Sequence, residues 1–174
     1  MSAGRARVFF ALWPPEPVRG ALACLAQAAR SECGGRAIAA ANLHLTLFFV
    51  GSIDRARIPR LDSAERAVRA APFDLAIDRL GYFRHARIVW AGAAHAPPQL
   101  VALADRLASA LAGCGLEADA RPYAPHVTLV RKATRRPAQQ TMEACRWRVA
   151  DYVLVESVPA AAGVRYQVLS QWRL

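Results

Sequence analysis

A short phrase occurs twice in this chain: HLTL, beginning at His44, and HVTL, beginning at His126. Side chains two positions apart on a strand point to the same face of a sheet, and the residues between them point to the other face. Burying an imidazole and a hydroxyl among leucines costs free energy unless both form hydrogen bonds, so an apolar core alone does not explain the pattern. The repetition predicts one site with two halves, formed by His44, Thr46, His126 and Thr128.

The rest of the sequence predicts an α+β fold. Apolar residues at helical spacing predict helices over 16–30 and 57–70 and a third between Pro97-Pro98 and Gly113. Runs of β-branched and aromatic residues predict strands over 7–13, 42–50, 73–80, 87–91, 126–131, 147–156 and 165–172. No linker or low-complexity tract interrupts the pattern, which therefore predicts a single domain over residues 1–174.

The two motifs lie about half the chain apart, each downstream of a predicted helix. This spacing suggests a duplicated lobe. Two such lobes, related by a pseudo-twofold axis, would direct His44 and His126 into a shared cleft.

The net charge of +10 comes almost wholly from arginine, because Lys132 is the only lysine. A positive surplus attracts polyanions such as nucleic acid, and the guanidinium group suits phosphate. Dispersed, solvated arginines that reflect codon usage are the competing explanation.

No apolar run approaches the roughly 20 residues that span a bilayer, and the four cysteines are scattered, which argues against a zinc framework. We expect a cytoplasmic protein with no membrane contact.

At the two motifs the chain resembles the 2H phosphoesterases, and among them the bacterial and archaeal RNA 2′,3′-cyclic phosphodiesterases, historically called 2′-5′ RNA ligases. The resemblance extends to VFFALWPP, NLHLTL, RIVWAG, PYAPHVTLVR and RYQVLSQWRL and so covers nearly the whole chain. It implies a bilobed α+β fold with two antiparallel sheets around a central cleft and helices outside.

The resemblance also implies a hydrolase that uses no metal or cofactor and converts RNA 2′,3′-cyclic phosphate ends into 2′-phosphates. It makes His44 the proton donor and His126 the proton acceptor, with Thr46, Thr128 and Arg131 binding phosphate. The symmetry of the two motifs does not by itself say which histidine is the acid. We expect a monomer whose partner is RNA or a nucleotide with such an end.

The chemistry suits these residue types. In-line opening of a cyclic phosphodiester needs a base on the attacking water and an acid on the departing ribose oxygen. Imidazole has an unperturbed pKa of about 6.5, so two facing histidines can supply both functions near neutral pH. Hydroxyl and guanidinium groups at Thr46, Thr128 and Arg131 would hold the non-bridging oxygens.

Three alternatives remain open at the level of sequence. The same site could run as an ATP-independent 2′-5′ RNA ligase, or the chain could be a non-catalytic basic RNA-binding module. A metal site built from histidines is less favoured, because threonine is a poor ligand and no carboxylate shares the motifs. We expect His85 and His95 to lie on the surface or in loops. The aromatic residues Phe48, Trp90, Tyr123, Tyr166 and Trp172 are expected mainly in the core, with one or two contacting a nucleobase.

Overall fold

The structure is a computed structural model that describes residues 4–65, 68–138, 140–161 and 163–174, with the backbone alone for 63–65. Its strands are β1 (Arg5–Leu12), β2 (Arg36–Ala37), β3 (Leu45–Asp54), β4 (Phe73–Phe83), β5 (Ile88–Gly92), β6 (Val127–Arg131), β7 (Thr141–Val149), β8 (Asp151–Ala160) and β9 (Gly163–Arg173). Its α-helices are α1 (Glu16–Cys33), α2 (Ile58–Glu65) and α3 (Pro98–Ala112). The predicted combination of helices and strands is confirmed.

The helices begin and end where the sequence changes its backbone preference. Helices α1 and α3 each start next to a proline, whose fixed φ suits the first turn. Gly34, with φ of 70°, ends α1 because glycine adopts this left-handed conformation without steric cost. The second helix is shorter than the predicted span of 57–70: residues 66–67 lie outside the described part, and 68–70 are not helical.

One predicted strand is wrong. The segment 147–156 is not a single strand, because Val149 ends β7 and Asp151 begins β8. Strand β7 pairs with β4, whereas β8 pairs with β1 and β9. An uninterrupted run of strand-forming residues therefore conceals the point at which the chain crosses from one end of the sheet to the other.

The described strands form one sheet, in the order β7-β4-β5-β6-β3-β1-β8-β9, with β2 also paired to β6. All of the pairings are antiparallel. The expectation of two separate sheets is wrong, because Leu45 of β3 pairs with Val127 of β6 and joins the two halves. The mainly antiparallel character is confirmed, and the duplication of lobes stays a prediction.

The helices cover one face of this sheet. Alternate residues of β1, such as Phe10 and Leu12, pack with Leu22 of α1 and Leu103 of α3 in one large buried cluster. Burial of each such side chain contributes about 1.5–3 kcal/mol. On the other face of β1, Phe9 and its neighbours form a separate, smaller cluster. The motif threonines therefore project from the face that lies opposite the helices, which we call the open face.

None of the described helices is both long and apolar enough to cross a membrane.

Candidate active site

Both histidines are held in the same way just before their strands begin. The ring Nδ1 of His44 lies 2.7 Å from the carbonyl oxygen of Asn42, and the Nδ1 of His126 lies 2.7 Å from that of Ala124. A carbonyl oxygen only accepts hydrogen bonds, so each Nδ1 carries the proton and donates it. Each Nε2 is left free to accept or release a proton, which is the arrangement that acid–base catalysis needs.

The pairing of the two motif strands brings the predicted residues together. Leu45 and Val127 are antiparallel partners at the centre of the sheet. In this register Thr128 lies alongside His44 and Thr46 alongside His126. All four side chains are partly exposed, whereas Leu45, at 1% exposure, faces the helices. The motif residues thus share one small area of the open face.

The protein environment lowers the pKa of both imidazoles. Burial is the largest cause that lowers the pKa of His44 to about 4, opposed in part by the hydrogen bond to Asn42 and aided by the positive charge of Arg131 and by that of His126 when it is protonated. Burial likewise lowers the pKa of His126, again with a contribution from Arg131. Both rings are therefore neutral at pH 7 in the free protein. A bound anion would favour their protonated forms.

A β-bulge interrupts each motif strand at the same motif position. The β1–β3 register slips after Thr46, which leaves Leu47 without a partner of its own. The β5–β6 register slips after Thr128 and likewise leaves Leu129 without a partner of its own. A bulge adds one residue to one strand and so breaks the alternation of faces. In agreement with this, each bulged leucine and the residue after it are both buried.

The bulge at Leu129 determines where Arg131 points. Ile88 and Trp90 are two apart on β5 and share a face, and their partners on β6 are Arg131 and Thr128. Arg131 and Thr128 therefore share the open face as well. Strict alternation would have placed residues three apart on opposite faces. The effect of Arg131 on the pKa of both histidines agrees with this placement.

Aromatic rings surround His44. Trp13 stacks on it at a centroid distance of 5.7 Å with an interplanar angle of 11°. Phe9 lies 4.8 Å away, and Tyr166 meets the ring edge-on at 5.1 Å. These contacts account for the burial that depresses the pKa of His44. Sequence reasoning did not assign Phe9, on β1, or Trp13, which directly follows β1, to the site.

His126 has a smaller aromatic environment. Phe83 contacts it edge-on at 4.9 Å, and Trp90 lies 6.2 Å away. Trp90 and Tyr166 were expected mainly in the core, but both border the histidines instead. Phe48 is buried, as expected. Phe83 carries no sequence signal, because its role follows only from the pairing of β4 with β5.

Two side chains connect the motif segments to the rest of the fold. The Tyr123 hydroxyl donates to the carbonyl oxygen of Thr46 at 3.1 Å, and burial raises the pKa of this tyrosine. The Asn42 amide donates to the carbonyl oxygen of Val164 at 2.8 Å, which ties the segment before His44 to strand β9. These bonds fix the backbone on which the motif side chains are mounted.

The other histidines lie apart from this site. His85 and His95 are both exposed and lie in the segments that follow β4 and β5, as expected. Within the described ranges, no three His, Cys, Asp or Glu side chains form a group that could hold a metal ion.

Comparison with known proteins places the chain among related sequences. Residues 14–158 match the family model of the 2′-5′ RNA ligase superfamily. The RNA 2′,3′-cyclic phosphodiesterase of Escherichia coli (strain K12) is 32% identical over 170 residues, covering 97% of this chain and 96% of that protein. The protein of the same name from Thermus thermophilus is 31% identical, with 97% and 90% covered.

A solved structure shows the same fold. The crystal structure of E. coli LigT complexed with 3′-AMP superposes with a TM-score of 0.90 at 31% identity, and 98% of each chain is covered.

Proposed function

This chain belongs to the 2′-5′ RNA ligase superfamily, and on that premise we propose that it is an RNA 2′,3′-cyclic phosphodiesterase that leaves a 2′-phosphate. The observation that carries the proposal is the pair of imidazoles on the open face, each with its Nδ1 bonded to a carbonyl, so that Nε2 is the nitrogen that exchanges protons. Relatives of this name align along nearly the whole chain.

In the proposed reaction His126 acts as the base and His44 as the acid. His126 takes a proton from water as the water oxygen attacks phosphorus. The bond from phosphorus to the ribose O3′ breaks on the opposite side, and His44 gives its proton to that oxygen. The product keeps its phosphate on O2′. The assignment of the two roles follows the family pattern.

The phosphate of the substrate is expected to raise the pKa of the proposed acid, His44. His44, with a pKa of about 4 in the free protein, is mostly neutral at pH 7. A bound phosphodiester anion offsets the repulsion from the positive charge of Arg131, and so raises the pKa of His44 toward neutrality. The proposed acid therefore holds its proton more strongly when the substrate is present.

Arg131, Thr46 and Thr128 are proposed to hold the non-bridging oxygens. All three side chains lie on the open face, where the bulge at Leu129 directs Arg131. Charge-assisted hydrogen bonds to these oxygens strengthen as negative charge develops in the transition state. Proton transfer and these contacts together supply the catalysis, so no metal or cofactor takes part in the proposed mechanism.

We further propose that the chain is one domain of two duplicated lobes and acts as a cytoplasmic monomer. The matching bulges at Leu47 and Leu129 support duplication. The strand order supports it too, because three further strands lie outward from β3 (β1, β8 and β9) and three lie outward from β6 (β5, β4 and β7). Size-exclusion chromatography with light scattering tests the oligomeric state.

The test of the function is turnover of a nucleoside 2′,3′-cyclic phosphate, followed by phosphorus NMR. We expect a 2′-phosphate as the sole product, because the acid is fixed on one side of phosphorus. A 3′-phosphate, or a mixture formed directly, would contradict the roles given to His44 and His126. No turnover of either a cyclic mononucleotide or an RNA with a cyclic end would contradict the proposed function. Adding RNA with a 5′-hydroxyl end distinguishes ligation from hydrolysis.

A further inference from the structure

A second polar feature of the open face lies beyond His126. A cavity of about 370 Å³ is bordered by strand β4, strand β5 and the segment after β6. Three arginines line it, Arg79, Arg84 and Arg136, and none of the described residues that line it carries a carboxylate. No ion pair among the described residues involves any of these arginines. Three arginines thus line one cavity, and none of the described carboxylates forms an ion pair with them.

The register of the sheet connects this cavity to the catalytic centre. Arg79 pairs with Gly92, and the next pairing across the sheet, Ala91 with Val127, places Gly92 alongside His126. Gly92 has no side chain, and the Trp90 indole lies against this position, since a Cβ at Gly92 would come within 3.2 Å of the Trp90 ring. Trp90 lines the cavity and also borders His126. The cavity and the catalytic centre therefore share a wall.

The arginines determine which ligand would suit the cavity. A guanidinium group only donates hydrogen bonds, and its planar fork of donors matches the oxygens of phosphate and carboxylate. A ligand rich in acceptor oxygens would therefore pair with the arginines that line the cavity. Phosphate oxygens have that chemistry.

The half of the open face beyond His44 has a different character. Besides Trp13 and Tyr166 it presents Phe49, which is 52% exposed and has the Arg7 guanidinium 5.0 Å above its ring. Proteins that bind single-stranded nucleic acid combine a basic track for the backbone with aromatic surfaces for the bases. The half beyond His126 provides the basic surface, and the half beyond His44 provides the aromatic surface.

We infer that the cavity lined by Arg79, Arg84 and Arg136 binds an internal phosphate of the RNA strand whose cyclic end occupies the catalytic centre. This inference rests on the proposed function and deepens it. The substrate it identifies is a single-stranded oligonucleotide rather than a cyclic mononucleotide. The oligonucleotide is the better substrate because it has backbone phosphates before its terminal nucleotide, and a cyclic mononucleotide has none.

The experiment compares a cyclic mononucleotide with a trinucleotide that ends in the same cyclic nucleotide. We expect the wild-type protein to have the higher kcat/KM for the trinucleotide. In the double variant R79Q/R136Q this preference should fall about tenfold. The salt dependence of log KM for the trinucleotide should become shallower by roughly 0.7 for each phosphate that is no longer bound. The matched control is R30Q/R60Q, which removes the same charge from exposed positions on α1 and α2.

The inference is overturned if R79Q/R136Q keeps the wild-type preference, if R30Q/R60Q loses it equally, or if the wild type shows no preference. Fluorescence anisotropy of a labelled trinucleotide with a 2′-phosphate end gives a readout that does not depend on turnover. Weaker binding by R79Q/R136Q alone supports the cavity even if neither substrate is hydrolysed, in which case the proposed function fails and the binding site stands. Equal binding by all three proteins refutes the cavity whatever the turnover.

Discussion

At the scale of single residues, one backbone carbonyl determines the tautomer of each motif imidazole. The Nδ1 protons of His44 and His126 are committed to Asn42 and Ala124. Only the Nε2 atoms remain to exchange protons with a substrate. This fixes the tautomer without a carboxylate partner of the kind that orients the histidine in serine hydrolases.

Replacing either histidine with alanine should nearly abolish hydrolysis. We expect kcat to fall about 10²–10⁴-fold for His44→Ala and for His126→Ala, because each removes one proton transfer from a single displacement. Turnover of a cyclic mononucleotide measures the loss, and circular dichroism checks that the fold is intact.

Controls come from the same residue types. His85→Ala and His95→Ala change exposed histidines and should keep wild-type activity. Thr46→Val and Thr128→Val remove one hydroxyl each and should cost about tenfold, less than loss of a proton transfer. A His44 or His126 variant that keeps more than about a tenth of wild-type kcat would exclude that residue as acid or base.

The acidity of the two imidazoles is directly measurable. In an NMR titration of the free protein we expect His44 to titrate at a pKa of about 4 and His126 below 6.5. A nucleoside 2′-phosphate should raise both values. An unfolded chain has imidazoles near 6.5, so the folded protein binds fewer protons between pH 6.5 and 4, and its stability should fall as the pH is lowered through that range. Titration of His44 at or above 6.5 would contradict its burial among Phe9, Trp13 and Tyr166.

At the scale of elements, close packing between β4 and β5 positions the wall beside His126. The Trp90 indole lies against Gly81, and a Cβ at position 81 would come within 2.0 Å of a ring carbon of Trp90. A glycine is therefore required at position 81 because the Trp90 ring leaves no room for a side chain, and not because the backbone there is left-handed. Its absence of a side chain allows Trp90 to lie flat across the neighbouring strand.

Substituting Gly81 should disturb both stability and the site. We expect Gly81→Ala to destabilise the protein by about 1–3 kcal/mol and to lower activity by displacing Trp90. Gly20→Ala on α1 is the matched control, since a Cβ there meets nothing within 4 Å. It should stabilise the helix by roughly 0.5–1 kcal/mol. Thermal or urea unfolding measures both, and equal effects of the two changes would show that the Trp90 contact is unimportant.

Local patterns predicted most elements, because each depends on neighbours in sequence. The alternation in the motifs places His44 with Thr46 and His126 with Thr128. It fails for Arg131, since a bulge depends on how β6 pairs with β5 and leaves no local signal. The aromatic surroundings were missed for the same reason: Trp13 and Tyr166 meet His44 only after strands far apart in the chain have paired.

At the scale of the whole molecule, the sheet places the catalytic residues where its halves meet. The pair Leu45–Val127 joins the halves, and each motif histidine immediately precedes one member of the pair. The histidines therefore belong to different halves but share one neighbourhood. Local sequence patterns do not predict this topology, and the family resemblance implied two sheets around a central cleft instead of one.

Activity should survive exhaustive chelation. Proton transfer by the histidines, with charge stabilisation by Arg131 and the threonines, leaves no step that needs a Lewis acid. We expect kcat to be unchanged after dialysis against EDTA. Loss of activity with recovery on adding zinc or manganese would refute this mechanism and favour a metal centre at the motifs.

The bulge at Leu129 makes strand pairing, as well as sequence, a functional property. Two residues separate Thr128 from Arg131, and with one of them taken up by the bulge both side chains reach the open face. If β6 paired with β5 without this bulge, strict alternation would turn the guanidinium toward the helices while every catalytic side chain remained in the sequence. Removal of Leu129 together with the bulge would leave one residue between Thr128 and Arg131 and return both side chains to one face. The distance from the motif to the arginine therefore has meaning only together with the register of β6 on β5, and a search that reads the distance alone cannot tell whether the arginine faces the anion.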